Sequence, residues 1–414
     1  MADHRLPNRT LRLLREGYRF GTRECVRQGS DIVSFRLAGR PVTLLRGPAA
    51  GRYFYTGRVL RADAMPGRVQ RTLTGTGTVQ GLDGAGHHAR KALFLDLVGA
   101  PRVPELVSLF EAEWRRRIAS WQRQERIVLF AEVGEVLCWA VHAWAGVPLP
   151  EREVARRTTQ LRAMIDGGGG VGPRYWRGVT ARRAGERQLA SLIEDVRAGS
   201  VAGLVTSPLR AWSLYREDGV ELAPRTAAAE VLNVLRPTVA IGTFIVHAAA
   251  ALHQHPAWAA RLRTSGDAEM HAFVQEVRRT APFFPAVGAQ AAEDFSMDGV
   301  AVPAGRLLVL DLYGTNHHPS SWPEPDSFDP TRFLERQLDP YELVPQGGGE
   351  HASGHRCPGE WATIAIMESA VRMLTREMTY VVPAQDLSVR LTRVPSLPRS
   401  GMLLEQVRPA PQPD

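Results

Sequence analysis

Residues 346–359 read QGGGEHASGHRCPG, and the rest of the chain is best understood outward from this stretch. Cys357 sits in a glycine-rich loop directly ahead of a helical pattern that begins near Pro358 and runs from Glu360 to Arg376. Free backbone N–H groups at a helix start favour negative charge, so the position predicts a thiol of lowered pKa. His355 and Arg356 beside it are donors suited to the anionic edge of a bound group. The alternative is an inert buried cysteine, which is the ordinary reading for Cys25 and Cys138.

Away from that loop the chain is soluble globular material. It has 414 residues, 44% hydrophobic and 23% charged, enough for a large core. The net charge of +8 comes from dispersed arginines. With no nucleic-acid motif, this reads as a solvated basic surface, whose field favours anionic substrates over nucleic acid. The longest apolar run, Val231 to Leu252, is broken by Arg236 and Pro237, which argues against a membrane span. The N-terminus carries no secretory pattern, and three cysteines give an odd count without metal-type spacing. Both features predict a reduced, cytoplasmic protein.

Alternation from Asp31 to Arg46 about Ala38-Gly39-Arg40 predicts a hairpin. Helical spacing dominates from about His87 to Arg279, clearest in Glu105 to Arg123 and Ala181 to Arg197. Gly167 to Gly170 followed by Val171-Gly172-Pro173 predicts a loop over a site. Beyond Pro282 come short strands such as Gly305 to Tyr313, the final helix and a β-rich tail. The expected architecture is mainly helical with a small β-rich lobe, as one domain over residues 1–414.

Ala227 to Leu252 is apolar nearly all round, so the helix it forms is buried. Arg236 in its middle cannot shed its charge. Glu230, the nearest acid on the helix, is six residues back and points about 120° away. Arg236 therefore needs an anion from elsewhere: an acid on another helix, the anionic edge of a cofactor, or a substrate carboxylate held bidentately. Pro237 favours the last, because it frees a backbone carbonyl where a groove can open.

Glu276 and Arg279 form Glu-x-x-Arg within FVQEVRR, and Phe328-Asp329-Pro330 with Arg332-Phe333 lies between them and the cysteine loop. This order of segments resembles the cytochrome P450 superfamily. The resemblance implies a mainly helical P450 fold, haem b, Cys357 as the axial ligand to iron, and a structural Glu276–Arg279 network. Most members carry Phe where this chain has Glu350. The loop as it stands, with Arg236-Pro237 in place of the usual acid and Thr, looks like the bacterial fatty-acid peroxygenases and olefin-forming decarboxylases. Leu14 to Tyr18, Gln80 to Gly84, Asp311 to His317 and Pro395 to Pro398 extend the likeness nearly end to end.

What the branch implies is specific. A fatty acid held by Arg236 supplies its own carboxylate as acid and base for hydrogen peroxide, with Pro237 part of the same catalytic turn and no redox partner required. Oxidation then falls on the alpha or beta carbon. Gln80 occupies a position that is often Gln in hydroxylases and His in the decarboxylating enzyme, and an amide does not titrate. It favours hydroxylation, with a backbone-capping role as its plainer alternative. His87 and Lys91 match propionate-binding positions. Thr74 and Ala286 stand where relatives often carry Phe, which implies extra room. Pro282, Phe283, Val171 and Leu397 either line that cavity or belong to the core. The competing activities are decarboxylation to a terminal alkene and a haem-containing ligand binder with no turnover.

Overall fold

The structure, a computed structural model, describes residues 6–55, 59–62, 64–201 and 206–411. The elements that place the site are helices α1 (Gly84–Val98), α2 (Val103–Trp121), α3 (Leu129–Ala145), α4 (Val154–Gly168), α5 (Pro173–Arg197), α6 (Pro224–Gln254), α7 (Asp267–Thr280) and α8 (Glu360–Arg372). The strands are β1 (Ile32–Leu37), β2 (Arg40–Leu45), β3 (Val59–Leu60), β4 (Ala286–Ala291) and β5 (Leu307–Asp311). They form one sheet in the order β1-β2-β5-β4-β3. β1 and β2 are the expected hairpin, with Val33 opposite Leu44, and the turn sets Ala38 and Gly39 at φ 47° and 81°. β5 joins β2 in parallel, with Val309 opposite Leu44. This small lobe flanks a helical body, as the sequence pattern implies.

The 31-residue α6 runs through the body, and its side chains from Ala227 to Leu252 are almost all buried. It is long and apolar enough to cross a membrane, yet 89% of its most apolar window is inside the protein, so it is a core helix. Gly242 lets it approach α3 closely: a Cβ there would lie 3.3 Å from Val133. The helix passes Pro237 without interruption.

Three local readings change. Gly167 and Gly168 are still helical, and the loop shrinks to the residues between α4 and α5. A Cβ on Gly167 would sit 3.0 Å from the Gly178 Cα, so this glycine serves a close helix crossing and not a turn. The strand expected over Gly305 to Tyr313 ends at Asp311, whose carboxylate accepts from Gly314 N at 2.7 Å and starts a short helix. The last helix gives way after Arg372 to a wider π turn, Met373–Glu377, that feeds the strand Met378–Val381.

Glu276 and Arg279 are fully buried on α7 and pair doubly, at 2.6 and 2.7 Å. Arg279 also donates to the carbonyls of Asn316, Pro325 and Ser327, and Glu276 accepts from Asp329 N at 2.8 Å. The pair is therefore satisfied on every side, which is the condition under which a buried ion pair is tolerated. It ties the irregular chain after β5 to α7 and so positions the cysteine loop beyond.

Candidate active site

The loop before α8 turns through Gly347 and Gly349, both at positive φ (90° and 79°). A Cβ on Gly348 would meet the Val344 side chain and the Pro340 carbonyl at 2.7 and 2.8 Å, so the loop packs against the chain that leads into it. Cys357 N donates to Gln346 O at 3.1 Å, and Glu360 N donates to Cys357 O at 3.3 Å. Gln346 Nε2 reaches the Cys357 sulfur at 3.7 Å and Thr363 Oγ1 at 3.0 Å. Arg278, the neighbour of Arg279, clamps the loop from α7 by donating to Gln346 Oε1 and Glu360 Oε1, at 3.0 and 2.5 Å.

In the chain alone the Cys357 thiol is pushed up, not down. Burial is the largest cause, opposed by the Gly359 N–H, Lys91 and Gln346. The helix-start donors are present as expected, but desolvation outweighs them until a cation sits on the sulfur.

Above Cys357 lies an apolar cavity, walled by α6, α1 and the start of β4. Thr74, Gln80, Asn233, Arg236, Pro237 and Phe283 line it together with Cys357 and His355. Arg236 is 6% exposed, and among the described residues no acid pairs with it. Burial, followed by repulsion from Arg182, draws its pKa down to about 9, so it remains charged at neutral pH. Glu230 is engaged elsewhere: it accepts from Val79 N at 2.9 Å and from Arg90 at 3.2 Å. An unpaired guanidinium held over an apolar cavity selects a carboxylate-bearing ligand.

One edge of the site collects basic residues. Lys91, the only lysine in the chain, is buried and donates to the Arg356 carbonyl. Burial draws its pKa to about 8, with the Cys357 sulfur opposing. His87 stacks on His355 at 3.8 Å between ring centres. Burial and Lys91 hold His87 near 4, while burial and Arg61 hold His355 near 2. Asp83 is the nearby acid, and its carboxylate already accepts from the Arg61 and Ala62 N–H groups. The edge is short of anions. A flat apolar group with two carboxylates on one rim and a metal for the sulfur fits this donor set, and haem b is such a group: Cys357 would hold its iron, and Lys91, Arg61, His87 and His355 its rim.

Several expected residues are not brought to the cavity. Arg356 turns to Glu360, 2.5 Å away, and locks the loop. Val171 is 68% exposed on the outer surface of the α4–α5 connection. Leu397 and Ala286 lie off the wall, where Val287, one residue on in β4, takes the place expected for Ala286 because strand side chains alternate. Pro282 is buried with its carbonyl accepting from Ser396 N. Conversely, sequence reasoning missed Arg61, Asn233 and Arg278. Asn233 left a signal: a polar residue on a buried helix, three positions before Arg236 and so on nearly the same face.

The cytochrome P450 family model matches residues 270–376. Over nearly their whole length, three groups of solved structures resemble this one. Cytochrome P450SP alpha (CYP152B1) in complex with (R)-ibuprophen is 44% identical at a TM-score of 0.94, covering 97% of this chain and 99% of that one. Cytochrome P450EX alpha (CYP152N1) with myristic acid is 39% identical at 0.94, covering 98% and 99%. A variant of cytochrome P450 OleT with arachidonic acid is 31% identical at 0.95, covering 99% and 100%. Among curated sequences, the beta-amyrin 6-beta-monooxygenase of Solanum lycopersicum is 35% identical over 115 residues. That match spans 27% of this chain and about a quarter (23%) of the relative.

Proposed function

The chain belongs to the cytochrome P450 family, in the CYP152 group, and binds haem b; from that premise we propose that it uses hydrogen peroxide to hydroxylate fatty acids at the alpha or beta carbon. The observation that carries this reading is Arg236, buried, charged and, among the described residues, without an acid partner in the cavity above Cys357. The bound molecules in the three similar structures, (R)-ibuprophen, myristic acid and arachidonic acid, are all carboxylic acids.

Arg236 binds the carboxylate through its planar fork and so fixes the first carbons of the chain in the cavity. The haem supplies a thiolate-ligated iron as the redox centre. The carboxylate then accepts a peroxide proton and returns it to the departing water, the acid–base work that no side chain of α6 offers at this point. The balance is a C–H bond and an O–O bond broken, a C–O bond and water formed, with no external reductant. Three free cysteines are compatible with a reducing compartment and support the cytoplasm as the proposed location. Incubated with peroxide and a series of straight-chain fatty acids, the haem-loaded protein gives 2- or 3-hydroxy acids; an absolute demand for NADPH and a reductase overturns the reading.

Gln80 decides the second outcome, decarboxylation. After the first C–H bond is broken, the substrate either gains a C–O bond, giving hydroxy acid and one water per peroxide, or breaks its C–C bond to the carboxyl, giving terminal alkene, carbon dioxide and two waters from the same peroxide. These routes share one intermediate, so a barrier difference of about 1.4 kcal/mol changes their ratio about tenfold. Gln80 lines the same cavity as Arg236 and carries no titratable proton. The native enzyme yields mostly hydroxy acid, and Gln80→His raises the terminal-alkene fraction several-fold. An unchanged product ratio in that variant removes Gln80 from the branch point.

A further inference from the structure

A second pocket opens where the turn after Gln70 meets α5 and the first turns of α6. Arg71, Arg182, Arg183 and Arg225 line it together with Thr76, and Glu186 is the one acid among its lining residues. Glu186 is already divided: Oε1 accepts from Arg182 Nε at 2.7 Å and Oε2 from Arg225 Nε at 3.3 Å. Arg71 and Arg183 are exposed and have no acid partner among the described residues. A Cβ on Gly75 would come 2.6 Å from Arg182 Nη2, so glycine lets the backbone close on this guanidinium.

Arg182 is buried and joins this pocket to the fatty-acid cavity. It donates to the Leu73 carbonyl and, at 2.8 Å, to the Thr74 carbonyl, which also accepts from Asn233 at 3.0 Å. Thr74 and Asn233 line the cavity. After burial, Arg182 is the largest influence on Arg236, whose pKa its repulsion lowers.

Four guanidiniums against one committed carboxylate leave the pocket rich in donors and short of acceptors. Its complement is a compact oxyanion with two charges and several acceptor oxygens, and a phosphate dianion is such a group. A fatty acid is a poor match here. It carries one charge and a long apolar tail, while Ala229 has the only apolar side chain among the lining residues.

We propose that this pocket is a phosphate site, taking inorganic phosphate or a phosphate monoester, and that its occupancy weakens fatty-acid binding at Arg236. An anion beside Arg182 lowers the positive potential that draws the substrate carboxylate to Arg236, so the two ligands oppose each other. The inference rests on the reading of Arg236 as the carboxylate clamp and adds regulation to it.

The test uses the haem-loaded protein at about pH 8, where phosphate is a dianion. Calorimetric titration with inorganic phosphate shows saturable binding, and Arg183→Ala raises that Kd at least about tenfold, the effect of losing one charged donor. Arg71→Ala is the parallel variant. In a separate spectral titration, saturating phosphate raises the Kd of a saturated fatty acid about fivefold, an ordinary coupling between two sites. Sodium chloride at the same ionic strength leaves that Kd within about twofold, and in Arg183→Ala the same phosphate concentration no longer moves it. Glycerol 3-phosphate separates the sources: tighter binding than inorganic phosphate marks a monoester as the ligand, and weaker binding marks the free ion. Absence of saturable phosphate binding overturns the proposal, and so does a phosphate Kd unchanged in both variants. A fatty-acid Kd that phosphate leaves unmoved, or that chloride moves equally, overturns it as well. If no fatty acid binds even without phosphate, the clamp reading has failed first, a result separate from the calorimetric one.

Discussion

Arg236→Ala lowers kcat/KM for fatty acids by at least about a thousandfold. Two losses combine in this number. The carboxylate loses its charge-assisted hydrogen bonds, about 1.5–3 kcal/mol, and the acid–base group that it carries leaves the site, worth about 10²–10⁴ in rate. The fold is not the cause, because the side chain has no partner to orphan among the described residues. Removing a buried unpaired charge leaves Tm equal or higher, which a structural arginine would not do. Arg236→Lys keeps the charge but loses the fork and retains only weak activity. In Arg236→Ala, added formate or acetate restores oxidation of small non-acidic substrates by supplying the missing carboxylate. Full fatty-acid turnover in Arg236→Ala would falsify the carboxylate clamp.

Cys357→His removes the thiolate signature altogether. The reduced, carbon-monoxide-bound parent has the red-shifted Soret band of a thiolate ligand; the variant lacks it and loses peroxide-driven turnover. The reason lies in the position of the sulfur. The other two cysteines are buried, and burial pushes the Cys25 and Cys138 thiols up to about 12 and about 11. Neither lines the cavity, so neither can substitute. A thiolate spectrum persisting in Cys357→His would mean that another residue binds the iron. Circular dichroism before and after haem loading separates loss of the ligand from loss of the fold, since Arg278, Gln346 and Glu360 hold the loop independently of the sulfur.

Much of the site was legible in the residues themselves because each signal was local. Cys357 in its glycine loop and Arg236 inside an apolar helix are contradictions to ordinary packing, and such contradictions are visible without coordinates. The spacing of Glu276 and Arg279 placed them on one helical face, and the fold puts them within bonding distance. The exposed or displaced residues were misread for an equally physical reason. Val171 and Leu397 are apolar residues in connecting segments, and composition alone does not tell a cavity wall from an outer surface. Ala286 differs from Val287 by one position in a strand, enough to reverse the face.

Sequence by itself determined the chemistry that this chain can hold: a sulfur for a metal, a fixed cation with no acid of its own on α6, an amide at position 80, and enough apolar helix to keep them dry. Tertiary structure decided how these groups are directed. Gln80 and Asn233 are 153 residues apart, and Lys91 and Arg356 are 265 apart. Only the folded chain sets the Asn233 amide between Thr74, Gln80 and Glu230, turns Arg356 away to Glu360, and brings Arg61 to the basic edge. A hydrogen bond depends on tenths of an ångström and on angle, and those are fixed by packing between elements distant in sequence, whereas charge, burial tendency and helical periodicity are properties of neighbouring residues.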